Sequence, residues 1–247
     1  MAFATIDVTK GISGVTPVAN GGTALSSGFK NGVDPRENAQ PLIINGDMAV
    51  AQRGTSSSGK TSAGYYACDR WNFAISSGGT WTISQDTDVP SGEGFSTSTK
   101  YDCTTAQGSL GSAAYIQHRQ SIEGQNLQLL KKGTSNAEKI TIAFWVKATK
   151  TGTNILELFD NTNNRQVSKA YTVSSSDTWE KKVVNFPADT SGALANNNSG
   201  ALNVQFYLGA GSNLSSGTLS ETWTAYTNAD RAVGQVNHAD STSNNFY

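Results

Sequence analysis

Charged side chains are scarce in this chain of 247 residues: Asp, Glu, Lys and Arg make up 15% of the sequence and leave a net charge of −1. A soluble domain ordinarily has about a quarter of such residues. Basic residues stand side by side only at 131–132 and 181–182, so no basic stripe could neutralise a run of phosphates. We therefore expect no nucleic-acid partner. Ser, Thr, Asn and Gly replace the charges, which is typical of an extracellular or virion β protein.

Long apolar runs are also missing. No stretch approaches the roughly 20 apolar residues of a membrane-spanning helix, which argues against membrane insertion. The first eight residues have neither the cationic start nor the apolar run of a signal peptide. A secreted-type composition without an export signal favours assembly in a host cytoplasm followed by lysis. We therefore expect to find the protein in a virion.

Residues that could carry nucleophilic or acid–base catalysis are few. His118 alternates with Ile116 and is predicted to lie in a sheet, whereas His238 falls in a polar stretch and is predicted to be solvated. The sequence has no nucleophile elbow, paired-histidine zinc motif or phosphate-binding loop. Carboxylates that could hydrolyse a glycosidic bond form no marked pair; the candidates are Glu93, Glu123, Glu157, Glu180 and Glu221. We therefore predict that the protein is not an enzyme.

Cysteine is limited to Cys68 and Cys103. Two cysteines cannot form a cysteine-only zinc site, and the sequence alone does not show whether they pair with each other. The simpler interpretation is that both are reduced and serve as small apolar residues in or beside strands.

The chain divides at about residue 40 into a polar leader and a strand-rich remainder. Residues 1–40 hold few large apolar side chains, and Gly, Ser and Asn clusters would break any helix or long strand there. Such a segment cannot bury enough surface to offset its ordering entropy by itself. We predict that residues 1–40 form an extended arm that docks onto other virion proteins or sister subunits, and that residues 41–247 form the folded domain.

Short alternating patterns follow one another in the second part. Every second side chain is a large apolar one in residues 202–208, and in residues 140–148 the branched and aromatic residues Ile140, Ile142, Phe144 and Val146 share one face. About ten such strands, separated by Gly- and Asn-rich loops, predict an all-β fold, an antiparallel jelly-roll β-sandwich.

The sequence also supports three local predictions. Residues 121–132 are the one helix candidate, with Gly133 placed to cap its C-terminus. The adjacent Val183 and Val184 predict a bulge in their strand. The core tryptophans are predicted to be Trp71, Trp81 and Trp179.

Several motifs resemble those of bacteriophage tail-fibre and minor virion proteins, whose jelly-roll domain is similar to carbohydrate-binding modules. These motifs are Ile-Asn-Gly-Asp-Met at 44–48, Val-Ala-Gln-Arg-Gly-Thr-Ser at 50–56, Asp-Arg-Trp at 69–71, Ile-Thr-Ile-Ala-Phe-Trp-Val-Lys-Ala-Thr at 140–149 and Thr-Trp-Glu-Lys-Lys at 178–182. In the leader, Pro-Val-Ala-Asn-Gly-Gly-Thr-Ala-Leu at 17–25 is similar to linker motifs of phage fibre proteins.

The resemblance implies a virion structural protein, most simply a trimeric tail-fibre or receptor-binding component that attaches to a host-surface glycan. It also implies that the closing Phe246 and Tyr247 begin a core strand. Either another element fills the place of that strand, or the native chain continues, and we expect the second. Two alternatives stay open. The protein could be a capsid decoration or head-fibre protein with a purely structural role, or a carbohydrate-binding accessory module of a secreted enzyme.

Flat aromatic side chains at a polar surface are what a sugar-binding site requires. Trp145 faces away from the aliphatic side of its strand, and Trp223 and Tyr226 lie in a segment rich in Ser, Thr and Asn. These three residues are the predicted ligand-binding residues. The alternative is that Trp145 packs under a second layer and that the Trp223 region is a subunit contact.

No cofactor is predicted, although two loops have the residue types of a structural Ca²⁺ site. One contains Asp86 and Asp88, and the other spans residues 160–164. Asp and Asn that simply form turns explain both loops equally well.

Overall fold

Two layers of antiparallel strands face each other in residues 41–247, the part of the chain that the computed structural model describes. The predicted arm, residues 1–40, lies outside the described residues. The strands confirm the predicted all-β antiparallel sandwich. They are β1 (Ser56–Lys60), β2 (Asn72–Ser76), β3 (Thr80–Asp86), β4 (Ser98–Thr105), β5 (Tyr115–Glu123), β6 (Ile140–Val146), β7 (Gly152–Asp160), β8 (Arg165–Val173), β9 (Glu180–Phe186), β10 (Gly200–Ala210), β11 (Thr224–Ala225) and β12 (Asn245–Phe246).

One layer is a six-stranded sheet in the order β11-β8-β7-β10-β5-β2. The opposite layer has two parts, a four-stranded sheet in the order β1-β3-β4-β12 and a ribbon of β6 and β9. Strand β12 joins these parts, because Phe246 pairs with Tyr101 of β4 and also bridges to Ala148, just past the end of β6.

Aromatic side chains from both layers meet in the core. The Trp71 ring stacks on His118 of β5 with centroids 4.1 Å apart, and Tyr101 of β4 is hydrogen-bonded to Nδ1 of His118. Phe144 of β6 packs against Phe206 of β10 at 5.0 Å. These contacts span the sandwich. His118 belongs to β5, so its predicted position in a sheet is confirmed.

The predicted inward face of β6 is also confirmed. Ile140, Ile142 and Phe144 pack against the core, and Val146 is fully buried. The predicted bulge in β9 is wrong, because β6 and β9 pair without a register shift through the whole of both strands. Val183 instead points outward and is 58% exposed, which is the ordinary consequence of alternation along a strand.

The predicted helix over residues 121–132 forms only in part. Strand β5 continues to Glu123, because its ladder with β10 extends to the Glu123–Gly200 pair. A 3₁₀ helix, Gly124–Leu130, follows and ends at Lys131, whose φ of 48° is left-handed, rather than at Gly133. The other short helical turns are Ser212–Ser215 and Asn228–Asp230, and among the described residues no helix is long and apolar enough to cross a membrane.

The middle of the outer face of the six-stranded sheet is covered, which the alternation in β10 does not predict. Residues 203, 205 and 207 point away from the core yet are all buried. Chain from the 212–239 segment lies over Tyr207, where Leu214 and Ala232 form a second apolar cluster with Ile155 and Tyr207. The middle of this sheet is therefore removed from water on both faces, whereas Ala170 and Thr172 of β8 and both residues of β11 stay exposed.

Two further expectations need correction. His238 is fully buried rather than solvated, because its Nε2 is hydrogen-bonded to Oδ1 of Asn154 at 2.7 Å and its ring packs on Phe246. Trp179 is half-buried at the rim rather than in the core, where its Nε1 donates to Asp88 at 2.9 Å. Trp71 and Trp81 are buried core residues, as predicted.

The cysteines are free and buried, in agreement with the simpler interpretation of the sequence. Burial raises the pKa of the Cys68 thiol to about 11. Because the thiolate is the reactive form, Cys68 is unreactive in the folded protein.

The buried histidines predict a loss of stability in weak acid. Burial lowers the pKa of His118 and of His238 from 6.5 to about 3. Below pH 6.5 both histidines are therefore protonated in the unfolded chain but remain neutral in the folded protein. Stability is complete above that pH and falls as the pH drops towards 3, with a limiting slope of about 1.4 kcal/mol per pH unit for each histidine.

Urea unfolding at a series of pH values between about 7 and 5 measures this slope. A His118→Asn variant, although less stable at neutral pH, should show about half of the slope, because one titrating group is gone. A flat profile in the unaltered protein would contradict the assignment.

Candidate functional site

The loop that contains the Asn-Gly-Asp motif is held to the sandwich by its own polar groups. The Asn45 side chain accepts a hydrogen bond from the Val50 N–H at 2.9 Å and donates to the carbonyls of Val50 and Asp69, both at 2.9 Å. The backbone carbonyl of Asn45 accepts from Nε1 of Trp71 at 3.0 Å. Asn45 adopts a φ of 55°, a conformation that asparagine tolerates better than most residues. The motif is therefore first a structural feature.

A second set of bonds ties the same loop to both layers. Gln120 of β5 exchanges two hydrogen bonds of 2.8 Å with the backbone of Ile44. Gln85 of β3 donates to the carbonyls of Met48 at 2.7 Å and Ala49 at 3.1 Å. These contacts leave Asp47, in the middle of the loop, exposed to solvent.

An open cleft of about 790 Å³ lies where this loop meets residues 69–70 and the end of β5. Its volume is within the usual range for small-molecule sites. The lining residues are Ile44, Asn45, Asp47, Ala49, Val50, Gln52, Arg53, Tyr65, Asp69, Arg70, Ser121, Glu123, Asn198 and Gly200. Three large apolar side chains with considerable exposure, Ile44, Val50 and Tyr65, are among them.

Tyr65 is the aromatic side chain of the cleft. It is 47% exposed, and the guanidinium of Arg53 lies 5.8 Å from its ring centre. Its neighbour Tyr66 turns the other way, donating its hydroxyl to the carbonyl of Ser62 at 2.8 Å. Gly64 makes room for that ring, since a Cβ at this position would lie 2.6 Å from it.

Two ion pairs order the charged part of the cleft. Arg53 donates to Asp69 at 2.9 Å, and Arg70 donates to both carboxylate oxygens of Glu123 at 2.9 and 3.0 Å. Burial alone would raise the pKa of Glu123, but hydrogen bonds to it and the charge of Arg70 outweigh this, so the pKa lies below its usual value. Glu123 is therefore ionised at neutral pH.

The three predicted ligand-binding residues do not form one surface. Trp145 is half-buried on β6 opposite Lys181 of β9. Trp223 packs against the core and donates its Nε1 to the carbonyl of Pro187, just past the other end of β9, at 2.9 Å. Six residues of strand separate these points, which is roughly 20 Å.

Tyr226 belongs to a third environment. It is 45% exposed and packs edge-on against Phe159 at 5.7 Å, with the guanidinium of Arg231 5.6 Å from its ring centre. None of the three predicted residues lines the cleft at the motif loop.

Tyr65 is not among the predicted site residues, although the sequence contains a usable signal for it. Adjacent side chains in extended chain point in opposite directions, so one of Tyr65 and Tyr66 had to face outward. Which of them does so depends on Gly64 and Ser62.

The two loops considered for Ca²⁺ have lysine ammonium groups at their carboxylates. Lys100 lies 3.9 Å from Asp86, and Lys147 pairs with Asp88. In the second loop, Asp160 contacts Lys132 at 2.5 Å. Within residues 41–247 no group of three or more His, Cys, Asp and Glu side chains is arranged to hold a metal.

No protein-family model and no curated protein matches the chain. Among solved structures, the enzymatically active domain of tailspike protein 4 from bacteriophage CBA120 is similar over 56% of this chain and 17% of its own, with 19% identity and a TM-score of 0.39. A Bacteroides thetaiotaomicron protein thought to bind sugar is similar over 84% of this chain and 95% of its own, with 12% identity and a TM-score of 0.38. Both likenesses are partial, and neither assigns a ligand or an activity to this chain.

Proposed function

We propose that this protein is a non-enzymatic component of a phage virion, a tail-fibre or receptor-binding subunit that attaches to a host-surface glycan through the cleft at the motif loop. The observation that carries the proposal is the exposed Tyr65 ring among charged and amide groups. Sugars bind where an aromatic face meets hydrogen-bonding groups that are held in place. Virion membership itself rests on the motifs in the sequence.

The arrangement of the cleft favours binding over catalysis. Glycoside hydrolysis requires one carboxyl group that stays protonated near neutral pH so that it can act as general acid. Glu123 does not suit that role, because Arg70 holds it ionised. Asp69 is likewise engaged by Arg53. These ion pairs fix the carboxylates as hydrogen-bond acceptors, which is what recognition of sugar hydroxyl groups needs.

Residues 1–40 would supply the other part of this function, which is attachment of the protein to the virion. A polar leader without a core of its own can gain order by lying along neighbouring subunits. We propose that it docks the protein in the particle and holds a homotrimer together, while the sandwich faces outward.

Binding to a glycan array and to surface polysaccharide extracted from bacterial hosts tests the cleft. Tyr65→Ala should weaken binding at least about tenfold, because the ring supplies the stacking surface. Tyr226→Ala is the matched comparison, since both rings are similarly exposed (47% and 45%). It should leave binding unchanged, as should Trp145→Ala and Trp223→Ala.

Other outcomes of the binding experiment would contradict the assignment in different ways. Loss of binding in Tyr226→Ala or Trp145→Ala, with Tyr65→Ala unaffected, would move the site away from the cleft. If the unaltered protein engages no glycan, the receptor-binding role fails and a structural role in the particle, such as capsid decoration, takes its place.

Light scattering of the purified protein tests the arm. The full chain should form a trimer, with about three times the chain mass of 26.0 kDa. Removal of residues 1–40 should leave a monomer that consists of one sandwich. Urea unfolding of the shortened protein provides the control that the sandwich remains folded. A full chain that is already monomeric would contradict the trimer.

A further inference from the structure

Lys132 lies in a closed cage of oxygen atoms formed by two separate parts of the chain, residue 160 and residues 189–192. Its Nζ is 2.5 Å from Oδ2 of Asp160 and 2.9 Å from Oδ2 of Asp189. The backbone carbonyls of Ser191 and Gly192 complete the cage at 3.1 and 2.9 Å. At most 5% of any of the three charged side chains is exposed.

The number of oxygens is informative. An ammonium group has three N–H bonds, yet four oxygens surround it, so the cage exceeds what directional hydrogen bonding requires. Two carboxylates with two backbone carbonyls are the donor set that hard cations such as Ca²⁺ prefer. We propose that the cage is a cation site whose resident ion is the tethered ammonium of Lys132.

The cage is built independently of the lysine. Oδ1 of Asp160 accepts the backbone N–H groups of Thr162 at 2.8 Å and Asn163 at 3.0 Å. Asp189 accepts two bonds from Arg165, at 2.8 and 2.9 Å. Because these bonds orient both carboxylates, the oxygens should keep their positions when the ammonium is removed.

Two more lysines show the same arrangement in less buried form. Lys100 lies between Asp86 and Asp102, and Lys147 lies between Asp88 and Asp177. Bridging of two aspartates by one ammonium thus recurs, and Lys132 is the case in which the whole group is buried. The end of β7 beside Lys132 therefore has its own cation and needs none from the medium.

Removing the ammonium while leaving space should convert the cage into a metal site. In chelator, Lys132→Ala should lower the thermal midpoint by roughly 10 °C, because two buried carboxylates lose a partner. Added Ca²⁺ should recover most of that loss, saturating at one ion per chain. The unaltered protein should have the same midpoint in chelator and in Ca²⁺.

Lys132→Met is the matched control. It removes the same charge but fills the space with a side chain of similar length, so it should be destabilised without any recovery in Ca²⁺. Sodium chloride at equal ionic strength controls for screening.

Terbium luminescence locates the ion. The Trp223 ring is 5.0 Å from Nζ of Lys132, close enough to sensitise a Tb³⁺ ion bound in the cage. Lys132→Ala should therefore show Tb³⁺ emission that disappears when Trp223 is also changed to Phe, whereas the unaltered protein and Lys132→Met should show none.

The proposal is overturned by any of three results with the variants and by one with the unaltered protein. These are a folded Lys132→Ala that does not respond to Ca²⁺, an equal response in Lys132→Met, and a Lys132→Ala chain that stays unfolded in Ca²⁺ as in chelator. A midpoint of the unaltered protein that falls in chelator would also contradict it, because a metal would then already be required.

Discussion

Burial of both faces of the middle strands of the six-stranded sheet, β7 and β10, is the constraint on which the rest of this structure depends. The opposite layer covers the inner face, and chain from the 212–239 segment covers the outer one. Buried polar groups must then find partners inside the protein, because an unpaired one costs much of its hydration energy. Glu157 of β7 is fully buried and accepts two bonds of 2.8 Å from Arg231 and one of 2.9 Å from Tyr207. Asn154 of the same strand is met by His238.

The same constraint explains why several of the few charged residues form buried ion pairs. Arg231 bonds to Glu157 and lies 5.0 Å from the centre of the Phe159 ring, so one side chain both neutralises a buried carboxylate and fastens the covering chain. Lys132 does the equivalent at the end of β7 with Asp160 and Asp189. Breaking such a buried pair is destabilising because it leaves an unpaired charge in a medium of low dielectric constant.

The motif loop separates structural from binding roles within a few residues. Asn45 and Gln120 use their hydrogen bonds inside the protein, and their replacement would move the loop. Asp47, Arg53 and Tyr65 are exposed at the cleft, where a ligand could reach them. Within one short motif, some positions therefore hold the scaffold while the exposed positions are free to contact a ligand.

What the sequence determined by itself was the local pattern. The alternation in residues 140–148 places Ile142 and Phe144 inward, and the spacing of turn residues predicts the antiparallel sandwich, because both signals arise from neighbours along the chain. Only the tertiary structure decided which surfaces stay exposed. Tyr207 is buried because a distant segment lies over it, His238 is buried between Asn154 and Phe246, and Tyr65 is exposed while Gly64 accommodates Tyr66. Trp145 and Trp223 are held at different ends of β9 for the same reason: proximity in space is set by strand order and register, which no local pattern encodes.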